Sequence, residues 1–295
     1  MEVFKSPFNI AFETSVALGD FDGVHIAHRK VIVNCVKAAR EKDLKSGVLL
    51  FKNSIKNTTF ISSLDERIKE FEKLGADFVY LCDFDDDFRK KTPEEFIEFL
   101  KEKLCAKAVS AGFDYRFGYM AKGDINMLSK LCKMENIEVL VCDEQKIGEV
   151  SVSSSEIRSL IENNRLKEAK SFLGRPYSIS GTVKKGFRNG HKLGFPTANL
   201  EAEEKRVLPP DGVYRGAVIF EGKKYRAVIN IGKNPTFEAE KKTVESHLID
   251  FEADLYDKEI TVEFHEFLRS EIKFENIDML KNQIKKDKER AIENE

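Results

Sequence analysis

The feature that most constrains this chain is a change of hydrophobic period part-way along it. Up to Gly174, short apolar runs alternate with amphipathic stretches of helical period. After Gly174-Arg175-Pro176, strand-like segments follow one another with turns and no helices between them. Strands joined by helices build a parallel, doubly wound sheet, whereas strands joined by turns build an antiparallel barrel or sandwich. The sequence therefore predicts an α/β domain over 1–174 and a β domain over 175–295, and 295 residues suffice for both.

In the first domain, Ser15–Leu18, Gly47–Phe51, Phe78–Cys82, Ala108–Ala111 and Val139–Cys142 read as five buried strands. Lys30–Glu41, Leu64–Leu74, Pro93–Leu104 and Ile125–Glu135 read as helices. Thr92-Pro93-Glu94-Glu95 predicts a capping box with proline in the first turn, and Gly75 a left-handed helix stop. In the second domain, Ser178–Val183, Gly212–Phe220, Lys224–Ile231, Thr243–Phe251 and Ile260–Phe267 read as strands, with a tight turn at Glu221-Gly222-Lys223. A final helix from Ile277 to about residue 292 turns Leu280, Ile284 and Ala291 to one face.

Charge and cysteine content narrow the setting. Lys and Arg total 49 against 51 Asp and Glu, so nothing draws the chain as a whole to nucleic acid or an anionic membrane. Phosphate binding then depends on local sites. No apolar run is long enough for a membrane span, and the N-terminal segment has no secretion-signal pattern. The five cysteines (Cys35, Cys82, Cys105, Cys132 and Cys142) form no CxxC pair, which suits reduced, buried thiols in a cytoplasmic protein. The expected partners are small molecules, with no nucleic acid and no membrane.

Three segments carry chemistry. Gly19-Asp20-Phe21-Asp22-Gly23-Val24-His25-Ile26-Ala27-His28 joins the first strand to the first helix, where backbone N–H groups bind phosphate. His25 and His28 are spaced to reach one side of that helix mouth and stabilise charge at phosphorus; packing histidines and an HxxH metal site are the alternatives. In Val152-Ser153-Ser154-Ser155-Glu156-Ile157-Arg158, the Ser153–Glu156 capping box suffices structurally, while the spare hydroxyls and Arg158 suit a triphosphate. The third segment runs from Gly186 to Asn199. Gly186, Gly190 and Gly194 allow close backbone approach, Lys184, Lys185, Arg188 and Lys192 bring charge, and Thr197 and Asn199 offer oxygens to a hard cation. A solvated basic loop is the alternative there, as it is for the acidic Asp83–Asp87 run.

The first two segments, with Gly112-Phe113-Asp114-Tyr115-Arg116-Phe117-Gly118, resemble the HxGH-type nucleotidylyltransferase half of prokaryotic bifunctional riboflavin kinase/FAD synthetases. The third resembles the GFPTAN signature of riboflavin kinases, supported by Gly212-Val213-Tyr214, Asn230-Ile231-Gly232, Val244–Phe251 and Leu268-Arg269. The resemblance implies a Rossmann-like parallel sheet, then a riboflavin kinase barrel with a C-terminal helix. It implies phosphorylation of riboflavin to FMN, then transfer of AMP from ATP to FMN with release of pyrophosphate, giving FAD. Mg2+ is the implied cofactor and ATP the co-substrate.

By resemblance, Gly19, Asp20, Phe21, Asp22, Ser154 and Arg158 with His25 and His28 serve adenylyl transfer, and Asp114 and Arg116 the flavin side. Gly186, Lys192, Gly194, Pro196, Thr197 and Asn199 would bind the kinase nucleotide, with Thr197 and Asn199 also on Mg2+. Glu245 would be the general base, and Arg269 a flavin contact. The chain departs from the family at Ala27, at His191, and in Leu50–Ile55, which lacks the usual His and Pro. That last departure keeps a second reading open: a riboflavin kinase whose first domain binds nucleotide or flavin without adenylylating it.

Overall fold

A computed structural model describes residues 1–52, 59–184, 197–233 and 242–293. Its contacts divide the chain into two compact units, Met1–Ser154 and Ser155–Glu295.

The first unit holds β1 (Glu2–Lys5), β2 (Thr14–Leu18), α1 (Ile26–Glu41), β3 (Lys45–Phe51), α2 (Leu64–Lys73), β4 (Phe78–Cys82), α3 (Asp86–Arg89), α4 (Pro93–Leu104), β5 (Ala106–Gly112), α5 (Ile125–Met134), β6 (Glu138–Cys142) and the short β7 (Lys146–Ile147) and β8 (Val150–Ser151). The five predicted strands and four predicted helices are all present. Six strands pair in the order β1-β4-β3-β2-β5-β6, all parallel. The sixth is β1, an exposed edge strand of four residues whose single turned-in side chain leaves no periodic signal. A second difference is the β7–β8 ribbon, which separates β6 from the serine-rich segment predicted to follow the sheet directly. The acidic run is partly helical, because Asp85 accepts the Phe88 N–H (2.8 Å) and caps α3.

Two helical layers cover this sheet. Val31, Ile32 and Cys35 of α1 and Phe71 of α2 pack on Val48, Val79 and Leu81. Phe96, Ile97, Leu100, Leu128 and Cys132 of α4 and α5 pack on the other face, against Val16, Leu49 and Val109. Strands buried on both faces explain why this half reads as continuous apolar runs. The Thr92–Glu95 capping box forms as predicted, and Gly75 takes φ +87° after α2.

The second unit carries α6 (Ser154–Glu162, which begins at the unit boundary), α7 (Leu166–Leu173), β9 (Tyr177–Thr182), β10 (Ala198–Glu201), β11 (Gly212–Phe220), β12 (Lys223–Lys233), β13 (Lys242–Leu248), β14 (Glu259–Arg269) and α8 (Ile277–Glu293). Strands pair in the order β10-β13-β12-β11-β14-β9, each neighbour antiparallel. A bridge between Lys184 and Asn199 joins the two edges, the Lys184 N–H donating to the Asn199 carbonyl (2.9 Å), so the sheet nearly closes into a barrel. Tyr177, Tyr214 and Phe264 fill its core. The β11–β12 hairpin turns through Glu221 (φ +48°) and Gly222 (φ +76°), the two left-handed residues of a type I′ turn. Strand β13 ends at Leu248 rather than at residue 251, and β10 adds a sixth strand to the five read from the pattern.

The C-terminal helix packs on β12 and β11. Its anchor is polar: Arg269, at the end of β14, grips the Asp287 carboxylate through Nε (3.0 Å) and Nη2 (2.7 Å), and Gln283 donates to the same group (2.9 Å). Asp287 is 1% exposed. Removing one partner of such a pair strands a buried charge. Asp287→Ala is expected to destabilise the second unit by about 3–5 kcal/mol in urea unfolding, and the apolar double change Arg269→Met/Asp287→Leu by less. Equal losses in the two proteins would contradict this account.

Candidate functional sites

The first site lies at the carboxyl end of β2, the central strand, where open parallel sheets bind ligands. The loop to α1 turns sharply: Phe21 (φ +55°), Gly23 (φ +81°) and Val24 (φ +41°) all occupy left-handed backbone. For Phe and Val that costs on the order of 1–3 kcal/mol each, so something must hold them. The Asp22 carboxylate does, accepting the Ile61 N–H (2.9 Å) and the Ser62 N–H (3.0 Å). Gly23 N–H donates to Ser62 Oγ (2.7 Å), and Ser154 Oγ donates to the Asp22 carbonyl (2.9 Å). Phe21 is fully buried, its ring edge-on to Phe71 and to His28. Phe21 and the Asp22 side chain thus shape the loop from inside.

The two histidines meet as their spacing predicts. Their rings stack with centroids 3.5 Å apart and planes 18° apart. His25 caps α1, its Nδ1 accepting the His28 N–H (3.3 Å), which leaves Nε2 to carry its proton. Burial first, then the charges of His25 and Arg67, push the His28 imidazole well below its ordinary pKa, so it is neutral near pH 7. His28 Nδ1 is buried with no hydrogen-bond partner among the described residues. A buried imidazole nitrogen without a partner, beside a helix start rich in backbone N–H groups, is chemically able to meet an anion.

Sequence reasoning missed Arg67 here. It lies in the first turn of α2, and its Nη1 donates to the Asp20 carbonyl (3.1 Å). No motif marks it, because its neighbourhood to the loop arises only through the Asp22 contacts. Asp114 and Arg116 lie exposed in the turn after β5, beside Tyr115 and Phe117, whose rings stack inward. Ser154 starts α6, and Arg158 lies one turn further along it.

The second site is a row across the barrel. Asn199 of β10 is in register with Glu245 of β13, and Glu245 with Asn230 of β12, which places all three on one face. The Lys184 bridge meets Asn199 from the other side. Asn199 Nδ2 donates to the Thr197 carbonyl (3.3 Å) and hydroxyl (3.4 Å), which turns its Oδ1 away from Thr197. Glu245 is half-buried; that burial, and next the like charge of Glu271, raise its carboxyl above the ordinary range. Asn230 donates to Glu271 Oε1 (3.4 Å).

These donors are all oxygens, as a hard cation requires. Among the described residues there is no group of three or more His, Cys, Asp or Glu that could hold a metal ion. Beside Thr197 opens a cavity of about 550 Å³ lined also by His247, Phe251, Asp254, Tyr256 and Lys288; His247 and Phe251 fall in the Val244–Phe251 segment, whereas Asp254 and Tyr256 carry no sequence signal. Arg269, predicted as a flavin contact, is engaged with Asp287. Gly186, Lys192, Gly194 and Pro196, with His191 and the 53–55 part of the rewritten stretch, lie outside the described residues.

Two protein-family models match the chain: FAD synthetase over residues 9–156 and riboflavin kinase over residues 173–294. Among curated relatives, the bifunctional riboflavin kinase/FMN adenylyltransferase of Bacillus subtilis is 35% identical over 94% of this chain and 91% of its own. That of Listeria monocytogenes is 32% identical over 93% and 90%, and that of Escherichia coli K12 33% identical over 92% and 90%. A solved structure described as a macrolide-efflux protein from Streptococcus pneumoniae matches with a TM-score of 0.87 and 30% identity, covering all of both chains. Among the described residues, no helix is long and apolar enough to cross a membrane.

The buried His28 makes stability pH-dependent. Its folded pKa lies below the unfolded value of about 6.5, so below that pH the unfolded chain takes up a proton that the folded chain refuses. Its contribution is complete above about pH 6.5 and is lost as pH falls towards the folded pKa, by up to about 1.4 kcal/mol per pH unit. Urea midpoints of the first unit at pH 8 and pH 5.5 should differ more in wild type than in His28→Gln. Equal differences would remove His28 as the cause.

Proposed function

The chain belongs to the bifunctional riboflavin kinase/FMN adenylyltransferase family, and on that premise we propose which residues carry its two reactions. The chain phosphorylates riboflavin to FMN with ATP, and joins AMP from a second ATP to FMN, releasing pyrophosphate and leaving FAD. The FAD synthetase match over 9–156 takes in the loop, both histidines and the rewritten stretch. It favours a working adenylyltransferase over the kinase-only reading. We assign the two activities to 1–174 and 175–295.

In adenylyl transfer, a phosphate oxygen of FMN forms the new bond to the α-phosphorus of ATP as the bond to the bridging oxygen breaks. The leaving pyrophosphate gathers charge. On this reading His25 through Nε2–H, His28 and the amides of the Gly19–Asp22 turn stabilise it, with Ser154 and Arg158 serving the triphosphate. A neutral His28 donates one hydrogen bond and needs no counter-charge of its own. Asp114 and Arg116 serve the flavin. The observation that carries this reading is the stacked histidine pair over a loop held in left-handed backbone.

In the kinase step, Glu245 accepts the proton of the terminal ribityl hydroxyl while that oxygen bonds to the γ-phosphorus of ATP, and the bond from that phosphorus to the β–γ bridging oxygen breaks to release ADP. Its raised pKa makes it a stronger base than a solvated glutamate. Thr197 and Asn199, with Gly186, Lys192, Gly194 and Pro196, would hold the nucleotide, and Thr197 and Asn199 would also hold Mg2+. Held by Thr197 and Asn199, such a cation would supply positive charge to offset that on the transferring phosphoryl group. The cavity beside Thr197 has the size and aromatic lining to seat the nucleoside end of ATP. Use of ATP and five free cysteines support a cytoplasmic setting.

Chromatography of flavins after incubation with magnesium and ATP tests the whole reading. FAD should form from riboflavin and from FMN alike, and FMN accumulating without FAD would count against the first site. Glu245→Gln should cut FMN formation by about 10²–10⁴-fold and leave FAD formation from added FMN unchanged. Asn199→Ala should raise the magnesium concentration needed for half-maximal kinase activity. An unaltered magnesium titration would contradict the assigned ligand.

A further inference from the structure

We propose that Arg67 is a further phosphate-binding residue of the adenylyltransferase site, its guanidinium taking a phosphate oxygen of ATP or of FMN. The inference rests on the adenylyltransferase reading and extends it to a residue outside every motif.

Arg67 is already oriented. Its Nη1 is fixed on the Asp20 carbonyl (3.1 Å), at the start of the β2–α1 loop. Its Nε, on the other side of the guanidinium plane's fork, is buried with no hydrogen-bond partner among the described residues. No described carboxylate pairs with it: Glu70, one turn further along α2, is engaged by Arg29 (3.0 Å) and Lys73 (2.7 Å). A shielded guanidinium donor left without an acceptor is unfavourable unless an anion completes it.

A purely structural role does not account for this. The α2 start is already tied to the loop by the two amides on Asp22 and by the Gly23–Ser62 bond. The Asp20 contact adds little to those, and it uses one nitrogen of three. The neighbour across the loop is His28, itself with a buried orphaned nitrogen, and Arg67 is close enough for its charge to act on that ring. Two orphaned donors or acceptors facing one loop call for one ligand with several oxygens. Phosphate supplies them, and guanidinium recognises it with two parallel hydrogen bonds where an ammonium offers a single point charge.

The test uses the full chain, with FAD formation from FMN followed as ATP and FMN are varied in turn. Arg67→Ala should lower kcat/KM for FAD formation by about tenfold or more, and Arg67→Lys should recover only part of it. Millimolar guanidinium should restore part of the Arg67→Ala activity, a response that a lost packing contact does not give. A KM rise confined to ATP places the guanidinium on the ATP phosphates, and one confined to FMN places it on the flavin phosphate. The proposal is overturned if kcat/KM stays within about twofold of wild type for both substrates. It is equally overturned if the loss tracks a lowered melting temperature and guanidinium restores nothing. The wild-type chain run in parallel separates this from the parent reading. Absence of FAD there would remove the adenylyltransferase and this proposal with it, whereas a variant equal to an active wild type removes the proposal alone.

Discussion

The first unit depends on one buried carboxylate. Asp22 is 4% exposed and accepts backbone N–H groups from a segment 39 and 40 residues further on. Without that acceptor, two buried amides lose their partner and the left-handed turn at Phe21 and Val24 has nothing to offset its strain. Much else follows from the same contact. It aims the α1 start, brings His25 and His28 face to face, and carries the first turn of α2 up to the Asp20 carbonyl. The loop's strain is balanced by hydrogen bonds from outside it.

The second unit solves a comparable problem with its seam. A short edge strand such as β10 cannot be satisfied by one neighbour. Asn199 is therefore bonded to β13 on one side and bridged to Lys184 on the other. Closing the barrel at that residue sets the row Asn199–Glu245–Asn230 by register alone. A slip of one residue would turn the glutamate to the opposite face. In both units, the candidate site residues lie where the backbone finds hydrogen-bond partners far away in sequence.

That explains what was legible in the sequence and what was not. The five central strands and four helices of the first unit were readable because burial on two faces writes itself as apolar runs and helical period. Capping at Thr92 and the stop at Gly75 are local chemistry and were readable too. The edge strand β1, the β7–β8 ribbon and β10 were not, since two to four residues hold too little pattern. Of the first site, the histidines were visible as a spaced pair in a glycine loop. Arg67 was invisible because its relation to the loop is made by Asp22 and not by any spacing. In the second unit the resemblance pointed to Glu245, but its pairing with Asn199 and Asn230 needed the register. The ion pair between Arg269 and Asp287 joins residues 18 apart through a strand end and a helix, and nothing in a linear reading links them.

The state of the cysteines has a consequence of its own. Burial lifts the thiols of Cys35, Cys82 and Cys132 to about 12, so each stays protonated at any physiological pH. The thiolate, not the thiol, is what peroxide oxidises. These three sulfurs are therefore kept in the form that an oxidant attacks least.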